Sequence, residues 1–359
     1  MLIGWENGMF DFLRLRKEMK NAEKSQMKSY DCLDHFIVGL DTLVSVCGKK
    51  VGDHYETQQP YLVDFSNPTA CFSLYRKNKE QVAKSVAEAL YAFSGMNGSD
   101  FIWEFRGWDD PRKNKSLDLN AIGPSLRFFG KRDNGVLDYQ QSNCLRQRGT
   151  GYVDQIDKAV NFFKANRNDN QEKGRNFLIH ISTLQETTNP IFQAWLYVNK
   201  GKLNVMVYAG YLNCADIIYK YVPIFSFFLQ MVSDLAGIEM GSVQFTIGGI
   251  CSDRDNSKTL VSYCPIINPS DSAFRYPPTG LTLRDMDTLM SIMVEFVSRL
   301  DENSLGRANP FEGDNRVQFW SDCAEVFRAW KAEKLGYEVQ MEQNFFHPQL
   351  RFIYRGEAL

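Results

Sequence analysis

Apolar residues recur at helical spacing from Tyr30 to Val46, where Leu33, Phe36, Ile37, Leu40 and Val44 line one face. A second helix is predicted from about Glu80 to Phe93, with Val82, Val86, Leu90 and Phe93 on one side and the stop Ser94-Gly95 behind it. A third runs from Asp154 to Ala165, with Ile156, Ala159, Val160 and Phe163 inward, and leads into the Asn-rich loop Asn166 to Asn170. Three strand-like runs follow: Phe177 to Ile181, Ile191 to Val198 and Lys202 to Tyr208. The last two are joined by Asn199-Lys200-Gly201, a hairpin signal, so the three predict an antiparallel meander.

Ile217 to Ala236 is a long apolar helix carrying Pro223, Phe225, Phe228, Met231, Val232 and Leu235, suited to burial against a sheet. Strands are expected at about Val243 to Ile247 and Leu260 to Ile266, and helices at about Leu283 to Leu300 and Arg316 to Lys334. The last carries the stripe Trp320, Cys323, Phe327 and Trp330. Residues 109–148 are polar and read as loop with short elements. At the start, Trp5, Met9, Phe10, Phe12 and Leu13 precede a charged stretch from Arg14 to Lys28, which suggests a helical extension. The expected organisation is an N-terminal helical extension at 1–28, one α/β (α+β) domain at 29–300, and a helix-strand extension at 301–359 packed on the same domain.

Composition narrows the picture only slightly. Hydrophobic residues at 44% and aromatics at 13% are enough for a sizeable core, and 41 Lys and Arg against 43 Asp and Glu leave no global field for nucleic acid or an anionic membrane. No run of about 18 apolar residues appears and the first residues lack a signal-peptide pattern, so a cytoplasmic location is expected. The eight cysteines are scattered without a C-x-x-C pair, and the four histidines are isolated, so free thiols and no metal are expected.

Several local strings, in order, resemble one family. Ala87-Glu88-Ala89-Leu90-Tyr91-Ala92-Phe93-Ser94-Gly95 resembles an H-E-L-L-W-F-L-x-G helix, and the string from Gly123 to Arg132 is similar to G-P-V-Y-G-K-Q-W-R. Asp154-Gln155-Ile156 matches D-Q-I. Gly174-Arg175-Asn176-Phe177-Leu178-Ile179 resembles S-R-R-I-I-V, and Tyr197-Val198-Asn199-Lys200-Gly201-Lys202-Leu203 resembles Y-V-x-x-G-K-L. Leu235 to Gly241 is similar to T-G-L-x-P-G-D. Together they resemble the thymidylate synthase and pyrimidine hydroxymethylase superfamily over roughly residues 60–250. The resemblance implies a mixed, largely antiparallel sheet packed by long helices, and a homodimer formed by the flat sheet faces.

It also implies vacancies. One-carbon transfer to a pyrimidine needs a thiolate that adds to the ring and later leaves, and the position matching the family's cysteine is Pro190. Cys214 and Cys251 are the nearest substitutes, for each of which a buried structural thiol is the stronger reading. The phosphate-gripping R-S pair becomes Asn213-Cys214, the double arginine that a partner subunit would contribute keeps Arg175, and Asp216 falls one position out of step with the family's aspartate. The base-reading asparagine becomes Phe225. The ribose-holding H-x-Y becomes Ser252-Asp253-Arg254, after Gly248-Gly249. Glu88 falls on the family's conserved glutamate, and is expected either to bind a ligand or to be an exposed or internally paired structural residue. Arg254, Arg127 and Lys131 are available to rebuild an anion site, although solvated surface charges are the simpler reading of each.

The expectation is therefore a soluble homodimer that binds a nucleotide-like ligand, or acts as a scaffold, without the family's standard turnover. One alternative is an active folate-dependent pyrimidine one-carbon transferase with an unusual nucleophile. The other is a partner-binding module that uses the terminal helices.

Overall fold

The computed structural model describes residues 27–57, 60–72, 79–95, 101–106, 121–127, 153–167, 175–181, 190–253, 276, 278–303, 305, 308–337 and 345–355. The predicted strand at Leu260 to Ile266, most of 109–148, the first 26 residues, Cys144, Cys264, Lys131 and Arg254 lie outside them.

The meander forms as its sequence dictates. β5 (Asn176–His180), β6 (Ile191–Asn199) and β7 (Lys202–Asn213) pair antiparallel, with Asn199 opposite Lys202. The two turn residues, Lys200 and Gly201, have φ of 50° and 75°, the left-handed pair that a tight primed turn requires. From β7 the chain enters a continuous helix, Cys214–Ala236, and returns as β8 (Glu239–Asp253), parallel to β7. Gly237, with φ of 68°, ends that helix in the left-handed conformation.

Earlier strands complete the sheet on the far side of β8. β4 (Tyr61–Phe65) pairs antiparallel with the first half of β8, and β1 (Met27–Tyr30) pairs parallel with β4. The hairpin of β2 (Lys49–Val51) and β3 (His54–Thr57) joins the second half of β8 through β3. The result is a mixed eight-stranded sheet of main order β1-β4-β8-β7-β6-β5. Periodicity did not foresee β1 to β4, and the stretch ending at Lys28, expected as helical extension, supplies Met27 and Lys28 to β1.

Helices cover one face. α1 is Leu33–Cys47, α2 is Lys79–Ser94, α3 is Trp103–Arg106, α4 is Gly123–Arg127 and α5 is Gln155–Ala165. The long Cys214–Ala236 helix is α6, and α7 is Leu283–Ser298, α8 Gln318–Lys334 and α9 Pro348–Arg355. The tail, expected as a helix and a strand, thus carries two helices among the described residues. The core side of the sheet presents Leu196, Val205, Val207, Val243, Phe245 and Ile247, and α6 lays Phe225 and Phe228 against it, with the Phe225 and Phe245 rings 6.0 Å apart. The predicted stripe Trp320, Cys323, Phe327 and Trp330 is fully buried, and α7, α8 and α9 share one continuous core with the sheet.

The other face carries Gln193, Trp195, Tyr197, Met206, Tyr208, Gln244, Thr246 and Leu62, all left partly exposed, and no described helix shields it. Strand alternation alone puts these residues opposite the buried ones. A hydrogen-bonded row crosses this face: the Tyr197 hydroxyl donates to Gln244 Oε1 at 2.9 Å, Gln244 Nε2 to Asp64 Oδ1 at 3.1 Å, and Ser29 Oγ to Asp64 Oδ2 at 3.0 Å.

Candidate functional site

Glu88 sits on α2 with its side chain almost wholly buried, and both its oxygens are paired within the chain. Arg106 of α3 donates Nε to Oε1 at 2.5 Å and Nη2 to Oε2 at 2.6 Å, a bidentate fork, and its guanidinium stands 5.3 Å from the Tyr91 ring centre. A four-residue helix cannot hold an arginine in place alone. α3 is clamped to α8, with Phe105 stacked on Trp330 at 4.3 Å, Phe101 and Phe105 against Phe327, and Lys331 paired with Glu104 at 2.7 Å. The tail helix therefore fixes the partner of Glu88, which is an internally paired residue.

Arg127 and Arg175 also have partners within the chain. Arg127 is buried, not solvated: it donates to Asp154 Oδ2 at 2.9 Å, Asp287 Oδ1 at 2.7 Å and the Phe93 carbonyl at 3.1 Å. Burial pushes the Asp154 carboxyl up although Arg127 and the Asp157 amide pull it down. Next to it, Gln155 donates to the carbonyls of Ser125 and His180 and accepts from the His180 amide, tying α4 and β5 to the start of α5. Arg175 donates to the carbonyls of Asn166 and Arg167 at 3.3 Å, capping the end of α5.

Pro190, aligned with the cysteine of the family that the sequence resembles, precedes β6, and its carbonyl accepts from the Gly210 amide at 2.8 Å. Cys214 is buried at the start of α6, Cys251 is half-buried on β8, and Asp216 is exposed on the first turn of α6. Phe225 is a core residue. The two glycines have packing reasons. A Cβ on Gly248 would lie 3.2 Å from the Gly210 carbonyl oxygen, and one on Gly249 would lie 2.6 Å from Cδ2 of Tyr211. They also mark where β8 exchanges β4 for β3 as its partner.

Two ionisable clusters were not visible in the sequence. In the first, the Tyr211 hydroxyl donates to Glu56, and Glu56 Oε1 is 2.6 Å from His54 Nε2. These contacts, His54 first, hold the Glu56 carboxyl below its usual range, whereas partial burial and then Glu56 raise the Tyr211 phenol. In the second, buried Asp322 of α8 accepts from the Tyr276 hydroxyl at 2.7 Å and the amides of Phe346 and His347 at 2.8 and 2.9 Å. Burial still pushes its carboxyl up to about 6. His347 lies 3.2 Å from the Thr69 carbonyl through Nε2, and its Nδ1 accepts from the Gln349 amide. Burial pushes its imidazole down to about 4. Both clusters are assembled across long sequence separations, so no spacing rule reveals them.

Among the described residues, one set of possible metal ligands comes together, Asp31, Cys32 and His35, which spacing had not suggested. Each has a local task. The Cys32 sulfur caps α1 by accepting from the His35 amide, with its thiol raised to about 12 by burial, and His35 Nδ1 pairs with Asp31 at 2.7 Å.

Compared with known proteins, the sequence matches no protein-family model, and no curated protein sequence matches it.

Proposed function

We propose that this chain is a homodimeric scaffold with a thymidylate synthase-like fold, dimerised through the sheet face that no described helix shields and without that family's one-carbon transfer. The observation that carries the reading is that open face. Trp195, Tyr197 and Met206 offer a broad apolar and aromatic surface, and four polar side chains of the face, Tyr197, Gln244, Asp64 and Ser29, are already bonded to one another. A second copy can therefore cover the face without stranding those polar groups, the main penalty of burying a polar surface. A self-complementary contact about a twofold axis is the commonest way for one chain to cover such a face.

The lack of turnover is inferred from the cleft residues. Pro190 has no nucleophilic atom, Phe225 has no hydrogen-bonding group for a base, and Glu88 and Arg127 are bound internally. Analytical ultracentrifugation at micromolar concentration tests the dimer. A dimer is expected for the wild type and a shift to monomer for Trp195→Asp, and a wild-type monomer would overturn the reading. Robust methylation or hydroxymethylation of deoxyuridylate or deoxycytidylate with methylene-tetrahydrofolate would overturn the other half.

A further inference from the structure

β7 and β8 run parallel and end side by side, with Tyr211 opposite Gly249 and Asn213 opposite Cys251. β3 continues the register on the far side of β8, placing Glu56 opposite Cys251 and His54 opposite Asp253. Pleat alternation puts Tyr211, Cys251, Glu56 and His54 on one side of the sheet, beside the start of α6. The carboxyl ends of parallel strands, where a crossover helix begins, are where open sheets form ligand crevices.

The Tyr211 ring is fixed from two directions. Its inner side lies on Gly249, where even a methyl group would come within 2.6 Å of Cδ2 and 3.1 Å of the Thr57 carbonyl oxygen. Its hydroxyl is held by Glu56, which is held in turn by His54. The residue is nevertheless 45% exposed, so the outer side of the ring is open to solvent.

We propose that Tyr211 and Glu56 form a binding platform for a flat ring ligand that stacks on the phenol and donates hydrogen bonds from its edge to the carboxylate. An ionised carboxylate only accepts, and its two oxygens offer about four lone-pair directions, of which Tyr211 and His54 take two. The ligand must therefore supply donors: ring N–H or amino groups of a heterocycle, or the hydroxyls of a sugar. The ring is already immobilised, so binding loses little side-chain freedom. A Tyr packed on a cross-strand glycine also stabilises a sheet, but that role uses only the ring side that faces Gly249. The platform does not depend on the scaffold reading and is read out separately from oligomeric state.

Saturation-transfer NMR with adenosine, cytidine and methyl β-D-glucopyranoside as probes tests it, using the full chain and the variants Tyr211→Phe, Tyr211→Ser and Glu56→Gln. Saturation is expected on at least one probe, retained in Tyr211→Phe, lost in Tyr211→Ser, and weakened about tenfold in affinity by Glu56→Gln, which removes a charged acceptor. A signal on the nucleosides alone assigns a heterocycle, and on the glucoside alone a sugar. No transfer to any probe, or full transfer in Tyr211→Ser, overturns the proposal. Should Tyr211→Ser fail to fold, Glu56→Gln decides, because it preserves side-chain size; unchanged affinity in that variant overturns it as well.

Discussion

Two glutamates mark the two candidate regions, and they differ in what surrounds the carboxylate. Glu88, 3% exposed, is gripped on both oxygens by Arg106, and the aromatic clamp between α3 and α8 holds the arginine there. Glu56, 24% exposed, is held by one tyrosine and one histidine and keeps accepting capacity on the open side. Sequence resemblance points to the first, yet it is buried and paired within the chain. The general lesson is that a matched residue type carries a function only if the fold leaves it unsatisfied. A buried carboxylate must be paired to be tolerated at all, and one that is 3% exposed offers a ligand almost no surface.

The largest expected effect breaks that pair. Arg106→Ala should cost about 3 to 5 kcal/mol in urea unfolding, because it strands Glu88 in the core. The double variant Glu88→Leu with Arg106→Met should recover most of the loss, since a buried ion pair is often replaceable by apolar residues. A loss below about 1 kcal/mol for Arg106→Ala would mean that Glu88 has other support, and would reopen its ligand role.

Asp322 adds a third case, a buried carboxylate with hydrogen-bond donors but no cation across from it among the described residues. Its folded value of about 6 lies above the ordinary 3.8, so its contribution to stability is present below pH 3.8 and is lost as pH rises through 6. His347 works the other way: with its folded value lowered from 6.5 to about 4, its contribution is complete above pH 6.5 and is lost as pH falls toward 4. Between pH 7.5 and 5 the histidine withdraws about 2 kcal/mol while the aspartate returns about 1 kcal/mol, so the two largely offset each other. In His347→Gln the aspartate's share of the pair remains, and unfolding free energy should rise by about 1 kcal/mol as pH falls over that interval. Urea midpoints at the two pH values check this; a fall in the variant would show that Asp322 does not carry the proton.

The smallest effect belongs to the open region. Glu56→Gln should change stability by less than about 0.5 kcal/mol, because water can replace what the carboxylate bonds. A loss comparable to that of Arg106→Ala would erase the contrast between the two glutamates and make Glu56 a structural residue as well.

Helices α2, α5 and α6 and the β6–β7 hairpin were legible because their information is local. Apolar spacing, an Asp154 cap that accepts the Asp157 amide, a left-handed Gly237 and the Lys200-Gly201 turn all lie within a few residues of what they control. Strands β2 and β3 were not, since Lys-Lys-Val and His-Tyr-Glu-Thr show no apolar alternation; β3 becomes a strand when the distant β8 supplies its hydrogen-bond partners, and β2 then pairs with β3. Arg127 was misjudged as a surface charge for the same reason. Its partner Asp287 lies on α7, and no local pattern announces that contact.

Residue type and short-range periodicity were enough for the mixed helix-and-strand fold class, the antiparallel meander and the long core helix. Which charged residues stay accessible was settled by packing between distant segments. Glu88 and Arg106 are eighteen positions apart and meet because α8 holds α3 in place. Tyr211, Glu56 and His54 meet because β3 pairs with the far half of β8. Chain periodicity governs which face a side chain occupies, whereas the partner across that face is chosen by packing between distant segments, and for an ionisable group the partner fixes its chemistry.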